Sequence, residues 1–300
     1  MLKPAAPEQA RIIDEPPLIQ FDRAWFEELQ ARVQKNGPWD DWVIYQLAYE
    51  AEEAGLIKNF DDLQCLAHIP QLTPLPHQID TAKKVLGEMR GRAILADEVG
   101  LGKTIEAGLI IKEYMIRGLA KKILILVPAS LVLQWVRELN QKFGIPAVAQ
   151  KKTYMWTQCD VVVASMDTAK REPHREIVQN MEYDMLVVDE AHKLKNKKTS
   201  NYAFVAGLRK KYCLLLTATP IQNDLNELYN LITLLKPGQL GGHGQFAANF
   251  VVDKRVAKNE HQLQQELAKV MIRNRRSDSD LAFTKRFVKN IPLHLSPEEK

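Results

Sequence analysis

Five short apolar runs constrain this chain more than any other feature: Ala93–Ala96, Ile123–Val127, Val161–Ala164, Met185–Val188 and Cys213–Leu216. None alternates polar with apolar residues, which is the pattern of a strand buried on both faces. The intervals between them hold helical stretches long enough for crossovers. An α/β fold, with a parallel β-sheet flanked by helices, accommodates all five. In such a sheet ligands sit outside the carboxyl ends of the strands, so the residues that follow each run are the ones to read for chemistry.

After the first run comes Asp97-Glu98-Val99-Gly100-Leu101-Gly102-Lys103-Thr104. Glycines let successive backbone N–H groups turn toward an anion, and the start of the following helix adds its positive end. Lys103 is a point charge suited to β- and γ-phosphates, and the Thr104 hydroxyl is a ligand for Mg²⁺. The pattern departs from the common phosphate loop at its first position, where Asp97 stands in place of glycine.

The run at Met185–Val188 delivers Asp189-Glu190-Ala191-His192. Two adjacent carboxylates at a strand end are costly unless a cation neutralises one of them. Asp189 is therefore expected to hold Mg²⁺, and Glu190 to orient and deprotonate an attacking water. A solvated helix start, where acids are also favoured, is the alternative, and the phosphate loop upstream argues against it. The fifth run, Cys213–Leu216, ends in Thr217-Ala218-Thr219-Pro220, whose hydroxyls are placed to bond the acidic motif or its histidine.

The front of the chain differs. Asp22–Lys35 and Trp39–Ala54 show helical spacing, separated by Asn36-Gly37-Pro38, and a short helix is expected around Asp61–Ala67. Trp39, Trp42, Val43 and Leu47 share one face, read here as core packing. Residues 1–20 are expected to wrap a surface or stay mobile. Pro70, Pro74 and Pro76 mark a boundary, so residues 1–70 form a small N-terminal helical unit and 71–290 the sheet domain. Residues 1–75 hold 6 Lys and Arg against 13 Asp and Glu, while the remainder holds 35 against 24. The acidic front either limits polyanion access to the basic domain or simply caps apolar surface. Cys65, Cys159 and Cys213 lack metal-ligand spacing and are expected to be buried thiols in a cytoplasmic protein. No apolar run approaches the ~20 residues of a membrane span, so no membrane partner is expected.

The stretches "ADEVGLGKT", "ILILVPASLVLQWVREL", "LVVDEAHKLKN" and "LLLTATPIQNDLNELYNLI" occur in this order and together resemble motifs I, Ia, II and III of Snf2-type ATPases in helicase superfamily 2. That family accepts aspartate at the first loop position. "TPIQNDLNELYNLI" is the most specific piece and disfavours a strand-separating helicase of another branch. "LPHQIDTAKKVL" is similar to the family's entry motif, and "VMIRNRRSD" to the basic segment that leads out of its first lobe. "DEVGLGKTIEAG" is similar to bacterial RapA-like members. The resemblance covers about residues 72–300.

It implies a RecA-like P-loop lobe that binds ATP and Mg²⁺ and, in the whole protein, moves along duplex DNA or RNA; a nucleotide-dependent switch that does not translocate stays open beside it. Gln78 is then the adenine contact, and 97–104 the phosphate cradle. Lys103, Asp189 and Glu190 become the catalytic set, and His192 couples them to Thr217 or Thr219. Ser130, Gln134 and the loop after Val163 lie toward the nucleic acid, while Lys193–Lys198 either contacts phosphates or is a solvated loop. Residues 291–300 would begin a linker toward a second RecA-like lobe. This half alone is expected to bind ATP weakly and turn it over very slowly, and a RapA-like assignment would add RNA polymerase as a partner.

Overall fold

The computed structural model describes residues 23–37, 41–56, 60–220, 224–253 and 256–275. Trp39, the first twenty residues and the expected linker at 291–300 lie outside the described residues. The chain divides into two compact units between Lys58 and Asn59.

The smaller unit contains helix α1 (Arg23–Gln34) and helix α2 (Trp42–Leu56). Asn36 and Gly37, at φ of 53° and 122°, end α1 in the left-handed region that helix termini favour. The apolar face of α2 is not core. Trp42, Val43 and Leu47 are 67%, 60% and 60% exposed, and Trp42, Tyr45 and Tyr49 stack along the helix surface. Two helices of 12 and 15 residues are too little chain to enclose an interior of their own.

The larger unit takes in residues 60–70, which the sequence groups with the front segment. They hold a 3₁₀ turn, Gln64–His68, rather than an α-helix. The Gln64 and Cys65 amides donate to Glu113 at 3.1 and 2.8 Å, and Cys65 and Ile69 enter the core. The turn is held by a carboxylate 48 residues away, which no local pattern reveals.

The sheet is built from β1 (Arg92–Leu95), β2 (Ile123–Val127), β3 (Ala147–Ala149), β4 (Val161–Ser165), β5 (Glu182–Val188) and β6 (Arg209–Leu216). A separate antiparallel pair follows, β7 (Val251–Asp253) with β8 (Val256–Ala257), and then β9 (Met271–Ile272). The order is β3-β4-β2-β5-β6-β1-β9, parallel throughout. The five expected strands form its contiguous centre, and the two unforeseen ones, of three and two residues, are its edges.

Alternation along the central strands explains their composition. Ile94, Leu124, Leu126, Leu186 and Leu215 face one apolar core, while Ala93, Ile125, Met185, Val187 and Leu214 face the other. The carboxyl-terminal halves of β5 and β6 are buried on both faces, and there every position is apolar. Helices α3 (Pro76–Gly87), α4 (Lys103–Ile116) and α5 (Val132–Phe143) follow in the chain around β1 and β2. Between α4 and α5 the approach is close: a Cβ on Gly108 would lie 2.3 Å from the Phe143 ring. Cys65 and Cys213 are buried as expected, whereas Cys159 is only half-buried because it follows a one-turn helix near the surface. Among the described residues no helix is long and apolar enough to cross a membrane.

Candidate nucleotide-binding site

The order β5-β6-β1 brings three carboxyl ends side by side. The loop after β1 turns through Gly100 and Gly102, at φ of 91° and 93°, and Gly102 caps α4. Side chains other than glycine rarely adopt such angles, and they free the amides to point outward at the positive end of α4. Lys103 and Thr104 open α4, both half-buried. The Lys103 ammonium donates to the carbonyls of Asp97 (2.7 Å) and Glu98 (3.4 Å), which leaves it one further proton for a phosphate. Val99 stands at the loop tip, 68% exposed, while Leu101 is buried. The Leu101 carbonyl accepts from His77 Nε2 and from Gln78 Nε2, at 3.1 and 2.9 Å. The other end of the Gln78 carboxamide accepts from the Leu75 amide. Gln78 thus braces the loop against the start of α3.

Asp97 is fully buried. Its two oxygens accept from the Asn274 amide (2.8 Å) and side chain (2.9 Å). Glu106, also fully buried, lies beside it. Burial, and then the Asp97 charge, push the Glu106 carboxyl up to about 9, so at neutral pH it keeps a proton. His77, Asp97 and Glu106 bring ligand-type atoms within 4.8 Å of one another.

At the end of β5, Asp189 Oδ1 accepts from the Glu190 amide (2.8 Å) and Oδ2 from the Trp135 indole (3.1 Å). Burial raises the Asp189 carboxyl above its ordinary range; the two hydrogen bonds and the Lys103 charge oppose this, and the Glu190 charge adds to it. Lys103 is thus near enough for its charge to act on Asp189. The oxygen donors of Asp189 and Thr104 suit a hard divalent cation, whose charge would relieve the desolvated carboxylate. Glu190 adopts φ 52°, ψ 45°, a strained conformation for a non-glycine residue. The turn directs its carboxylate to His192, whose Nδ1 lies 3.0 Å from Glu190 Oε2. The approach does not meet hydrogen-bond geometry.

After β6, buried Thr217 accepts from the Thr219 amide at 3.2 Å. Ser130 and Gln134 are exposed beyond β2, and Gln134 bonds Glu138. A hollow of about 110 Å³ lies by the acidic motif between Pro128, Ser165, Asp167 and Lys193. The basic run is not simply a solvated loop. Lys195 is buried beside Glu227, 3.4 Å away; its carbonyl accepts from Asn230, and Lys197 lies over the Tyr229 ring. The run is thereby tied to the helix Leu225–Leu235.

Trp135, Glu106 and Asn274 did not stand out in the sequence. Trp135 follows Gln134 in an amphipathic helix and carries the same apolar signal as any core tryptophan. Glu106 in the first turn of α4 resembles an ordinary N-terminal acid. Asn274 lies in the stretch "VMIRNRRSD", where the arginines around it carry the signal and the asparagine does not.

A model of the SNF2-related domain matches residues 77–300. The Bacillus subtilis (strain 168) protein described as the uncharacterized ATP-dependent helicase YqhH is 57% identical over 280 residues, which is 93% of this chain and 50% of that protein. The chain thus spans about half the length of that relative. Among solved structures, the Sulfolobus solfataricus SWI2/SNF2 ATPase core in complex with dsDNA gives a TM-score of 0.63 at 23% identity, over 70% of this chain and 46% of that one. The core domain of the same ATPase gives 0.58 at 24% identity, over 72% and 46%. These two likenesses bear on the fold, which is that of a RecA-like lobe. With three quarters of its length under one family model and a relative of 57% identity, the chain belongs to the SNF2-related family.

Proposed function

We propose that the larger unit binds ATP with Mg²⁺ and hydrolyses it as the first of two RecA-like lobes of a translocase on duplex DNA. The observation that carries this reading is the adjacency of β5, β6 and β1, whose carboxyl ends supply the acid pair, Thr217 and the phosphate loop to one edge. The family and the ATP-dependent helicase relative support it, and the dsDNA held by the Sulfolobus core supports duplex DNA as the track.

In this reading the loop amides and the Lys103 ammonium bind the β- and γ-phosphates. Thr104 and Asp189 hold Mg²⁺, which when bound supplies neutralising charge to the phosphate oxygens. Glu190 takes the proton of the attacking water, and His192 holds the Glu190 carboxylate in place. Thr217 sets the Thr219 turn beside them, a route by which phosphate occupancy reaches the rest of the lobe. A second lobe supplies an arginine worth ~10³–10⁵ in rate in related phosphoryl transfer, so this chain alone turns over slowly.

The test is Mg-ATP binding by the wild type beside Lys103→Ala and Glu190→Gln. Binding lost in the first and kept in the second is the expected result. Equal binding by all three sinks the assignment. DNA-stimulated turnover by this chain alone would contradict the need for a second lobe, and capture of RNA polymerase tests the RapA-like partnership separately.

A further inference from the structure

The edge of the sheet at β9 is joined to the phosphate loop itself. The amides of Ile94, Ala96 and Glu98 donate in turn to the carbonyls of Val270, Ile272 and Asn274, at 2.8, 2.8 and 3.2 Å. This ladder outruns β1 and takes in the loop's first residues. There Asn274 grips the Asp97 carboxylate with its amide (2.8 Å) and its side chain (2.9 Å). The same Asn274 Nδ2 group reaches Thr81 Oγ1 on α3 at 3.2 Å, one helical turn from Gln78, which braces Leu101. On the opposite side of residue 97, the Asp97 carbonyl receives the Lys103 ammonium at 2.7 Å. A single residue therefore carries the loop lysine on its carbonyl and the end of β9 on its side chain.

We propose that Asn274 is a positioning residue that couples occupancy of the phosphate loop to the order of β9. The proposal rests on the loop being the ATP site. Drawing the Lys103 ammonium toward a phosphate alters the load on the Asp97 carbonyl. A buried carboxylate cannot drift from its donors without a large desolvation cost, so Asp97 and Asn274 move together. With two residues and one neighbouring strand, β9 has few bonds of its own and is sensitive to this link.

The test is amide exchange across Val270–Asn274 in the 300-residue chain, with and without Mg-ATP, together with nucleotide affinity. In the wild type, nucleotide slows exchange there by about ten-fold, a coupling of ordinary size. Asn274→Ala loses that slowing and binds nucleotide about ten-fold more weakly. The exchanged pair Asp97→Asn with Asn274→Asp restores both, because the amide at 97 can accept from the backbone of 274 and donate to its new carboxylate. Asn274→Ser keeps the backbone bond, as alanine does, and adds a hydroxyl donor, so it falls between and serves if the alanine variant does not fold. Nucleotide binding without protection of β9, or full protection in Asn274→Ser or Asn274→Ala, overturns the coupling alone. Absence of nucleotide binding by the wild type, with Lys103→Ala no different, overturns the site assignment and the coupling with it.

Discussion

The Trp135 indole N–H donates to Asp189 Oδ2 at 3.1 Å, so the helix after β2 holds the carboxylate at the end of β5. Trp135 is 2% exposed, and the bond is shielded from water and strengthened accordingly. A residue whose size serves the core thus also fixes a proposed metal ligand.

Trp135→Phe is expected to keep the packing and lose the bond. A hydrogen bond to a charged group contributes about 1.5–3 kcal/mol, so Mg-ATP affinity should fall by roughly ten-fold or more. Because the indole favours the ionised form of Asp189, its loss raises that carboxyl further. The acid limb of Mg-ATP binding should then move to higher pH, measured by titrations from pH 5 to 8. An unchanged limb removes the indole from the site's electrostatics.

Glu190→Gln is expected to leave Mg-ATP binding near the wild-type value. Turnover, measured in a chain carrying both lobes, should drop by about 10²–10⁴, the usual range for loss of a general base. A variant with both binding and turnover intact excludes Glu190 as the base.

The Glu106 carboxyl sits at about 9 against an ordinary 4.5. Between these values the unfolded chain releases a proton that the folded chain retains, so this group makes the fold less stable as pH rises through the window. Glu106→Gln should remove that dependence. Relative to wild type it should gain stability from pH 5 to pH 8 in the nucleotide-free protein, by up to about 1.4 kcal/mol per pH unit. Denaturant melts at the two pH values read the difference; a constant gap between the two proteins refutes a protonated Glu106.

Lys195 and Glu227 form a pair in which the lysine is almost wholly enclosed, and burial pulls the ammonium below its ordinary range. Glu227→Leu strands that cation and should cost about 2–3 kcal/mol, below the full value for a buried pair because Glu227 is partly solvated. Adding Lys195→Met should recover most of the loss. Thermal melts of the two singles and the double decide whether the pair ties the acidic motif to Leu225–Leu235.

Much of the sheet was legible because two-sided burial leaves unbroken aliphatic runs at Ile123–Val127 and Met185–Val188. The loop and the acid pair were legible for a different reason, since phosphate and metal chemistry demand particular residues at fixed spacing. The edges β3 and β9 were not, being too short to imprint a period. The α2 face was misread because Trp42, Val43 and Leu47 have a buried pattern without a buried setting. Asp97 was visible as a departure from glycine, but its partner Asn274 lies 177 residues on, and a pairing over such a distance leaves no trace in local sequence.

The position of β9 also bears on biosynthesis. Because β1 lies between β6 and β9, a nascent chain has translated well over a hundred residues after β1 before either flank of that strand can be covered. Until Val270–Asn274 emerges from the ribosome, one rim of β1 presents bare amides able to recruit a stray strand, and such distant closures are slow. Premature termination just upstream of Val270 should therefore yield aggregates rather than a smaller working lobe.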